Sequence, residues 1–264
     1  MEYIIGNVYG FNHLIINSKD YNQNKIEIFL NKHKNLNIDF IDIYNIDFNQ
    51  IKTFNNKFER IIIPESYPLI IKYLYNNHLI KKDKKYLDTD QGEISYEFIK
   101  EIPLEISLNF KKAKLENTML RINDLIDSFG RIINVGSNEI KIYSLFISRI
   151  ITVVFVDDIN LSYNNASLLI MNNKIFKKGT DVCFVKVVDK THLDVKTYSK
   201  EYGQIISLSS MLGALYVAHS LNLCAYKVEI NNLNNYFEAT FSRKHELYIN
   251  TSLNKDEFIK IKED

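Results

Sequence analysis

Two segments of the chain are apolar at almost every position, and a serine opens each of them. They run from Ser66 to Leu74 and from Ser209 to Ala218. A helix that is apolar on all faces is enclosed by other structure, so the pattern predicts two buried helices. The first turn of each helix has backbone N–H groups that suit an anion such as a carboxylate. Two such helices in one chain indicate a duplicated half that holds a ligand between the copies.

Short alternating or continuously apolar runs predict strands on both sides of each helix. In the first part of the chain the strands are predicted at residues 3–5, 14–16, 41–44, 60–63, 86–89 and 93–98. Residues 6–13, which include His13, are predicted as a turn, and Lys25–Lys34 as a surface helix. In the second part the strands are predicted at residues 131–135, 139–146, 150–156, 181–188, 192–198, 226–230, 236–241 and 246–249. Each part therefore has the order strands, buried helix, strands.

This order predicts an α+β protein with two pseudo-symmetric halves, each a curled, mainly antiparallel sheet around one central apolar helix. The hairpin spacing is taken as too short for helical crossovers between parallel strands. A polar stretch at Lys111–Lys114 marks the expected boundary. The N-terminal half is then residues 1–113, joined by residues 253–264, and the C-terminal half is residues 114–252.

Composition and charge exclude several classes of function. The chain of 264 residues is 46% apolar and 25% charged, as in folded globular proteins, and its net charge is +1. That balance gives no electrostatic reason to bind nucleic acid or an anionic membrane. No apolar run reaches the roughly 18 residues of a membrane span, and the first residues do not form a signal peptide. We therefore expect a cytoplasmic protein.

The residue types that commonly bind metals are scattered along the chain and form no recognisable motif. Cys183 and Cys224 are the only cysteines; both lie in apolar stretches, Cys224 at the start of a predicted strand, and we expect buried free thiols. The six histidines have no metal-binding spacing, and Gly-rich phosphate loops are absent. We expect neither a metal nor another cofactor.

Several stretches resemble the diaminopimelate epimerase family, in the family's order and over most of the chain. Gly179–Val187 resembles its "tNVeFvqV" strand, and Thr191–Tyr198 follows at the family's spacing and resembles "tHikvrvYERG". Ile151–Asp158 is similar to the strand after "GNPH". Tyr9–Ile16 resembles "HGxGNDFvvi" with one glycine fewer, and Leu87–Ile94 resembles the "veTxaG" hairpin. The resemblance implies two similar halves, each a barrel-like sheet around one helix, with the active site in the cleft between them.

The resemblance also implies a cofactor-independent mechanism that this chain lacks the residues to run. In that family a cysteine at the mouth of each central helix acts as acid or base, one thiolate removing the α-proton and the opposite thiol returning one. Residues 64–67 match the first motif, "CGNG", within about one residue, and residues 208–211 match the second, "CGTG". Pro64 and Leu208 stand at the two thiol positions. Neither side chain carries a proton that could be transferred.

The positions that bind the substrate in the family are also changed. The acid that pairs with the substrate ammonium is Ser199 here, and the arginine that pairs with its carboxylate is Lys200, which lacks the planar fork. Arg149 and Asp181 stand at the two asparagine positions of "GNPH" and "tNVeF". Asn12 is the clearest polar position retained.

The helix mouths supply the remaining candidates. Glu65 lies beside the first thiol position and could act as an acid or base; an acidic residue there also stabilises a helix dipole. Ser66, Ser209 and Ser210 could bind a ligand or serve as helix N-caps. Lys200 and Arg149 could bind an anion or be surface charges.

Two functions remain open. In the first, the chain has lost two-thiol racemase chemistry and binds a small amino-acid-like ligand or a partner in the cleft. In the second, it is an active amino-acid racemase, epimerase or isomerase that uses Glu65 and Asp181 as acid–base groups. Since members of the family form dimers, the resemblance also allows a homodimer or a heterodimer with a related subunit.

Overall fold

The computed structural model describes residues 2–80, 86–90, 92–101, 104–110, 129–147, 149–177, 179–242, 246–253 and 258–263. The chain forms two compact units. The N-terminal unit is Met1–Asn109 with Asn250–Asp264, and the C-terminal unit is Phe110–Ile249. The boundary predicted at residues 111–114 lies outside the residues that the structure describes.

The described part of the N-terminal unit has eight strands and two helices before the chain leaves it, and one more strand near the end of the chain. Its elements are β1 (Glu2–Val8), β2 (Phe11–Asn17), α1 (Gln23–Lys32), β3 (Phe40–Asn45), β4 (Gln50–Asn55), β5 (Arg60–Ile61), α2 (Ser66–Asn76), β6 (Tyr86–Thr89), β7 (Gly92–Glu101), β8 (Leu104–Asn109) and, from the chain's end, β18 (Phe258–Lys262). The strand Leu247–Leu253 crosses the boundary between the two units.

The C-terminal unit has the same kinds of element. They are β9 (Phe129–Val135), β10 (Asn138–Phe146), β11 (Ile150–Phe155), α3 (Asn164–Met171), β12 (Asp181–Val187), β13 (His192–Ser199), β14 (Gly203–Ile205), α4 (Leu208–Ser220), β15 (Lys227–Asn232), β16 (Asn235–Phe241) and β17 (Leu247–Leu253). The predicted strands and both apolar helices are present. The helix α3 and the strands β4, β8, β14 and β18 were not predicted.

The strand pairings recur in the same order in the two units. In the first, β1 is antiparallel to β2, β2 is parallel to β3, β3 is antiparallel to β4, and β4 is antiparallel to β5 and parallel to β6. In the second, β10 is antiparallel to β11, β11 is parallel to β12, β12 is antiparallel to β13, and β13 is antiparallel to β14 and parallel to β15. The fold is α+β and mainly antiparallel.

The expectation that crossovers are too short was wrong. The connection from β2 to β3 contains α1, and the connection from β11 to β12 contains α3, which leaves enough chain to bring the strands back parallel. Two local predictions also change. The strand predicted at residues 60–63 is paired only over Arg60–Ile61, and neither of these two residues is buried, although Ile63 is. Cys224 lies before β15 rather than at the start of that strand.

Both apolar helices are buried, as their patterns predict. In α2, all residues from Ser66 to Leu74 are buried, and the helix packs against β1, β3 and β8. In α4, all residues from Leu208 to Ala218 are buried except Tyr216, and the helix packs against β10, β11, β12 and β13. No helix within the described residues is long and apolar enough to cross a membrane.

In each unit a glycine lets the buried helix pack closely against the sheet, but the glycine lies on the strand in one unit and on the helix in the other. A Cβ atom on Gly6 of β1 would lie 3.0 Å from Leu69 Cδ1 of α2. In the C-terminal unit the glycine is on the helix, where a Cβ on Gly213 would lie 2.9 Å from Ile151 Cγ2 and 3.6 Å from Leu145 Cδ2. Each interface therefore has one position without a side chain, on the strand in one unit and on the helix in the other.

Candidate functional site

The α2 entrance is Glu65 together with Ser66 and Tyr67, the first residues of α2. Glu65 occupies the N-cap position and is 2% exposed, and Ser66 is fully buried. Burial and the nearby acidic groups raise the pKa of the Tyr67 hydroxyl, with burial as the larger cause. The predicted candidates Glu65 and Ser66 therefore lie together at the start of the buried helix.

A buried polar cluster lies against Ser66, and the sequence analysis missed it. His13 Nδ1 is 2.7 Å from Asp42 Oδ2, and the Thr53 hydroxyl donates to Asp42 Oδ1 at 2.6 Å. Ser66 Oγ is 3.4 Å from His13 Nδ1 and 3.5 Å from Thr53 Oγ1. None of the four is more than 3% exposed. Asp42 thus orients the imidazole, as a carboxylate does in a catalytic triad.

His13 was expected in a turn, but it lies in β2. The tight turn is only Tyr9–Gly10, both with positive φ, so the strand begins at Phe11. Its Nε2 atom is buried and has no hydrogen-bond partner among the described residues. The continuous apolar run Leu14–Ile16 directly after His13 was the signal that could have placed this side chain in a buried strand.

The α4 entrance is Ser209, Ser210 and Met211, in the first turn of α4. The Ser207 hydroxyl caps the helix by accepting the N–H of Ser210 at 3.2 Å. Ser209 and Ser210 are fully buried. The hydroxyl of Ser210 has no hydrogen-bond partner among the described residues. The capping role that the sequence allowed for Ser209 or Ser210 is thus performed by Ser207.

The recurring pairings let positions in the two units be matched. Thr53 faces Asp42 and Ile61 in its ladders, and Thr197 faces Cys183 and Ile205 in the same way. Ser66 comes five residues after Ile61, and Ser210 comes five residues after Ile205. Matching the threonines therefore also matches the two helix entrances.

This matching pairs residues of different chemistry. The acid Asp42 corresponds to Cys183, and Glu65 corresponds to Ser209. In the parallel ladders Asp42 faces Ile15 and Cys183 faces Val153. His13 therefore corresponds to Ile151, because each lies two residues before those partners. The histidine and the aspartate of the polar cluster are therefore replaced by an apolar and a thiol side chain in the C-terminal unit, whereas the threonine and the serine are matched by Thr197 and Ser210.

Arg149 and Asp181 lie together, although they were predicted only as separate candidates. Arg149 Nη1 donates to Asp181 Oδ2 at 2.9 Å, in a partly buried pair at the starts of β11 and β12. The matched positions in the N-terminal unit are Phe11 and Phe40, whose rings lie 5.2 Å apart. An ion pair in one unit thus stands where an aromatic pair stands in the other.

Two other candidates are not brought to the entrances by any described contact. The Asn12 amide donates to the backbone oxygens of Leu36 and Asn37 at 3.0 and 3.3 Å and accepts from Asn7. It therefore fastens the loop before β3. Lys200 is exposed in the turn between β13 and β14. Their roles in ligand binding stay predictions.

The thiols are poorly suited to proton transfer. Both cysteines are unoxidised and buried, as expected. Burial raises the pKa of the Cys183 thiol well above its usual range, and burial raises the pKa of Cys224 to about 11. Pro64 and Leu208, at the positions of the family's cysteines, are buried. The described residues contain no cluster of three or more metal-binding side chains.

An open cavity lies at the far end of α4 from its entrance. It has a volume of about 580 Å³, and its lining includes Lys190, His219, Cys224 and Tyr226. Cys183 does not line it. The lining contains neither Ser209 nor Ser210, so this cavity is separate from the α4 entrance.

No family model and no curated protein matches the chain. Solved structures do match over nearly the whole length. A probable proline racemase from Agrobacterium radiobacter K84, with bound carbonate, has a TM-score of 0.68 at 10% identity, and the match covers 100% of this chain and 93% of that one. A hydroxyproline epimerase from Agrobacterium vitis, with bound trans-4-hydroxy-L-proline, has a TM-score of 0.65 at 10% identity, covering 99% and 92%.

A PhzF-family phenazine biosynthesis protein from Enterococcus faecalis has a TM-score of 0.64 at 10% identity, covering 99% of this chain and 100% of that one. The chain therefore has the fold of PhzF-family proteins and proline-racemase-like isomerases, the fold class that also contains the diaminopimelate epimerases. At these identities the likeness establishes the fold and not the activity.

Proposed function

We propose that this protein is a divergent relative of the diaminopimelate epimerases that binds a small amino-acid-like ligand at its helix entrances and does not run a two-thiol proton shuttle. The observation that carries the proposal is the loss of both thiols at the starts of two helices that are otherwise kept. Pro64 and Leu208 occupy the thiol positions, whereas Ser66, Ser209 and Ser210 remain in the first turns. Helix N-termini with hydroxyl side chains can bind a polar ligand without any acid–base group.

The ligands of two structural neighbours support the choice of ligand class. One neighbour holds carbonate and another holds trans-4-hydroxy-L-proline. The cysteines present elsewhere in this chain are buried and have raised pKa values, which argues against a substitute thiol pair.

The test is a thermal-shift and calorimetric screen of the L- and D-forms of proline, 4-hydroxyproline and diaminopimelate. We expect at least one to raise the midpoint of thermal unfolding, since a ligand that binds only the folded state stabilises it. If none of these compounds stabilises the protein at millimolar concentration, the proposal that it binds an amino-acid-like ligand is wrong.

A second function, an active isomerase without thiols, is favoured by one observation. Glu65 is a carboxyl side chain that is 2% exposed at the α2 entrance, and a carboxyl group at such a position can act as a general acid or base. In this case solvent deuterium would enter the α-carbon of the substrate, and Glu65→Gln would abolish the exchange. Exchange that persists in Glu65→Gln would rule out this residue as the acid–base group.

A further inference from the structure

The open cavity at the far end of α4 has the size and the mixed lining of a small-molecule site. It lies within the C-terminal unit, where the segment after α4 meets the turn between β12 and β13, and its volume is about 580 Å³. Cavities of a few hundred cubic ångströms that combine aromatic walls with a few polar groups commonly bind small ligands. The α4 entrance lies at the opposite end of this helix of 13 residues, roughly 20 Å away.

One wall of the cavity is aromatic. The ring of His219, in the last turn of α4, stacks on Phe241 with 4.1 Å between ring centroids and meets Tyr226 edge to face at 5.2 Å. Phe241 therefore fixes the imidazole, and the imidazole fixes one side of Tyr226, which is itself 55% exposed. A ring that is held in this way and stays accessible offers a surface on which a second ring can pack.

The lining also contains a cation. The ammonium of Lys190 donates to the backbone oxygen of Asn222 at 2.7 Å, and because an ammonium has three N–H donors it can still donate to an anion. Burial raises the pKa of the Cys224 thiol, and the charge of Lys190 lowers that pKa by a smaller amount, so the ammonium acts inside the cavity. None of the described residues that line the cavity is acidic.

Two negative groups near Lys190 could oppose an anion, and both are engaged elsewhere. The carboxylate of Asp189 accepts from Thr191 and contacts the ring of His192. The end of α4 has a partial negative charge, but carbonyls of its last turn accept the N–H groups of residues 221–223. The positive charge of Lys190 therefore remains available to a ligand.

We propose that this cavity is a second binding site, which takes a small aromatic carboxylate with its ring against Tyr226 and its carboxylate on the ammonium of Lys190. The ring and the cation come from different segments that the fold brings to one cavity, and each recognises one part of such a ligand. The site goes beyond the proposed function, because the residues that line it belong to neither helix entrance.

The experiment is a titration of the ¹⁵N-labelled full-length protein with sodium benzoate at constant ionic strength. We expect saturable shifts of the backbone amides of Lys190, Asn222 and Tyr226 at millimolar concentration. Sodium acetate, which lacks the ring, and benzamide, which lacks the charge, are the matched probes and should each bind about fivefold more weakly. No saturable shift of these amides with benzoate, or equal affinity for benzoate and either probe, would overturn the proposal.

Two pairs of variants test the cation and the ring. Lys190→Gln and Tyr226→Ala should each weaken benzoate binding by about fivefold. Their controls, Lys174→Gln and Tyr236→Ala, change an exposed lysine and an exposed tyrosine of the same unit and should leave the affinity as it was. Unchanged affinity in Lys190→Gln or in Tyr226→Ala contradicts the proposal. Should a variant fail to fold, the comparison of benzoate with benzamide and acetate on the wild-type protein decides.

The thiol of Cys224 gives an independent measure of occupancy. Benzoate should slow the reaction of Cys224 with a disulfide reagent at mildly alkaline pH, because a ligand in the cavity covers this thiol, and acetate should not. Cys183, which does not line the cavity, is the internal control. An unchanged rate for Cys224 at a benzoate concentration that saturates the amide shifts would show that the ligand lies elsewhere.

Discussion

At the scale of single residues, the N-terminal unit is distinguished by a histidine and an aspartate that are both fully buried. The carboxylate of Asp42 accepts hydrogen bonds from the His13 ring and from the Thr53 hydroxyl at 2.7 and 2.6 Å. The buried carboxylate and the buried imidazole are therefore each other's partner. Removal of one member would leave a buried group without compensation, which costs more than the pair itself contributes.

His13→Leu should therefore lower the free energy of unfolding by about 3–5 kcal/mol, because it leaves Asp42 buried without its nitrogen donor. The matched control is Ile151→Val at the corresponding position of the C-terminal unit, which should cost about 0.5–1.5 kcal/mol. Urea denaturation followed by circular dichroism measures both. Equal losses of unfolding free energy in the two variants would contradict the prediction that breaking the His13–Asp42 pair is costly.

The cysteines give a second prediction at this scale. The thiolate is the reactive form, and with its pKa at about 11 Cys224 would be ionised to only ~10⁻⁴ at pH 7. A disulfide reagent should therefore modify neither thiol rapidly in the folded protein and both in urea. Native-state reaction of Cys224 should quicken as the pH rises toward 11, and Cys224→Ser identifies its signal. Fast modification of the folded protein at pH 7 would contradict the buried, raised-pKa description.

At the scale of elements, each helix meets its sheet through a position that lacks a side chain. The glycine is on β1 in one unit and on α4 in the other, facing large aliphatic side chains in both. Helix and strand can therefore approach closely in both units, although the residues that allow it are exchanged.

Gly213→Ala should lower the free energy of unfolding by about 1–2 kcal/mol, since its Cβ would press on Ile151, even though alanine favours a helix. Gly6→Ala is the comparison and should cost less, because the nearest atoms are the outer ends of the Leu69 and Phe258 side chains, at 3.0–3.1 Å, whereas Gly213 faces Ile151 at 2.9 Å. Chemical denaturation distinguishes them. A Gly213→Ala protein more stable than wild type would show that the contact is looser than described.

The last strand of the N-terminal unit is tied to α1 by charge. Glu263, just after β18, accepts from Lys32 Nζ and from His33 Nε2, both at 2.8 Å. Hydrogen bonding to Lys32, then to His33, lowers the pKa of Glu263 below its ordinary value of 4.5. A carboxyl with a lowered folded-state pKa stabilises the fold above its ordinary pKa, and that stabilisation is lost as the pH falls through the folded-state value.

We therefore expect hydrogen exchange in β18, corrected for intrinsic rates, to increase as the pH falls below about 4.5 toward 3. Glu263→Gln should remove that pH dependence while leaving exchange in β11 and β12 as it was. A β18 that responds to acid equally in both proteins would show that Glu263 is not the titrating tie.

At the scale of the whole molecule, the sequence predicted the order of elements better than their connections. Continuous apolar runs identified α2 and α4, and short alternating or apolar runs identified most strands, because the burial of side chains follows these patterns. The parallel pairing of β11 with β12 was missed because α3, which connects these strands, has no strong amphipathic pattern. The pairing of β2 with β3 was missed although the helix between them was predicted, because residues distant along the chain decide which strands meet. The predicted domain limits, 1–113 with 253–264 and 114–252, remain a prediction.

The candidate site was predictable in part for the same reason. Serines at the start of apolar helices are visible in the sequence, so Ser66, Ser209 and Ser210 could be named. The His13–Asp42 pair joins residues 29 apart through a parallel strand pairing, and nothing local announces it. The Arg149–Asp181 pair, 32 residues apart, likewise required the register of β11 and β12.

The central claim is that a fold shared with amino-acid isomerases is kept here without the two-thiol shuttle. The most direct measurement follows deuterium incorporation at the α-carbon of L- and D-proline, 4-hydroxyproline and diaminopimelate by NMR, with the protein in deuterated water. The account predicts no protein-dependent incorporation into any of them, including any that stabilises the protein. Incorporation that scales with protein concentration and is lost on heat denaturation would contradict it.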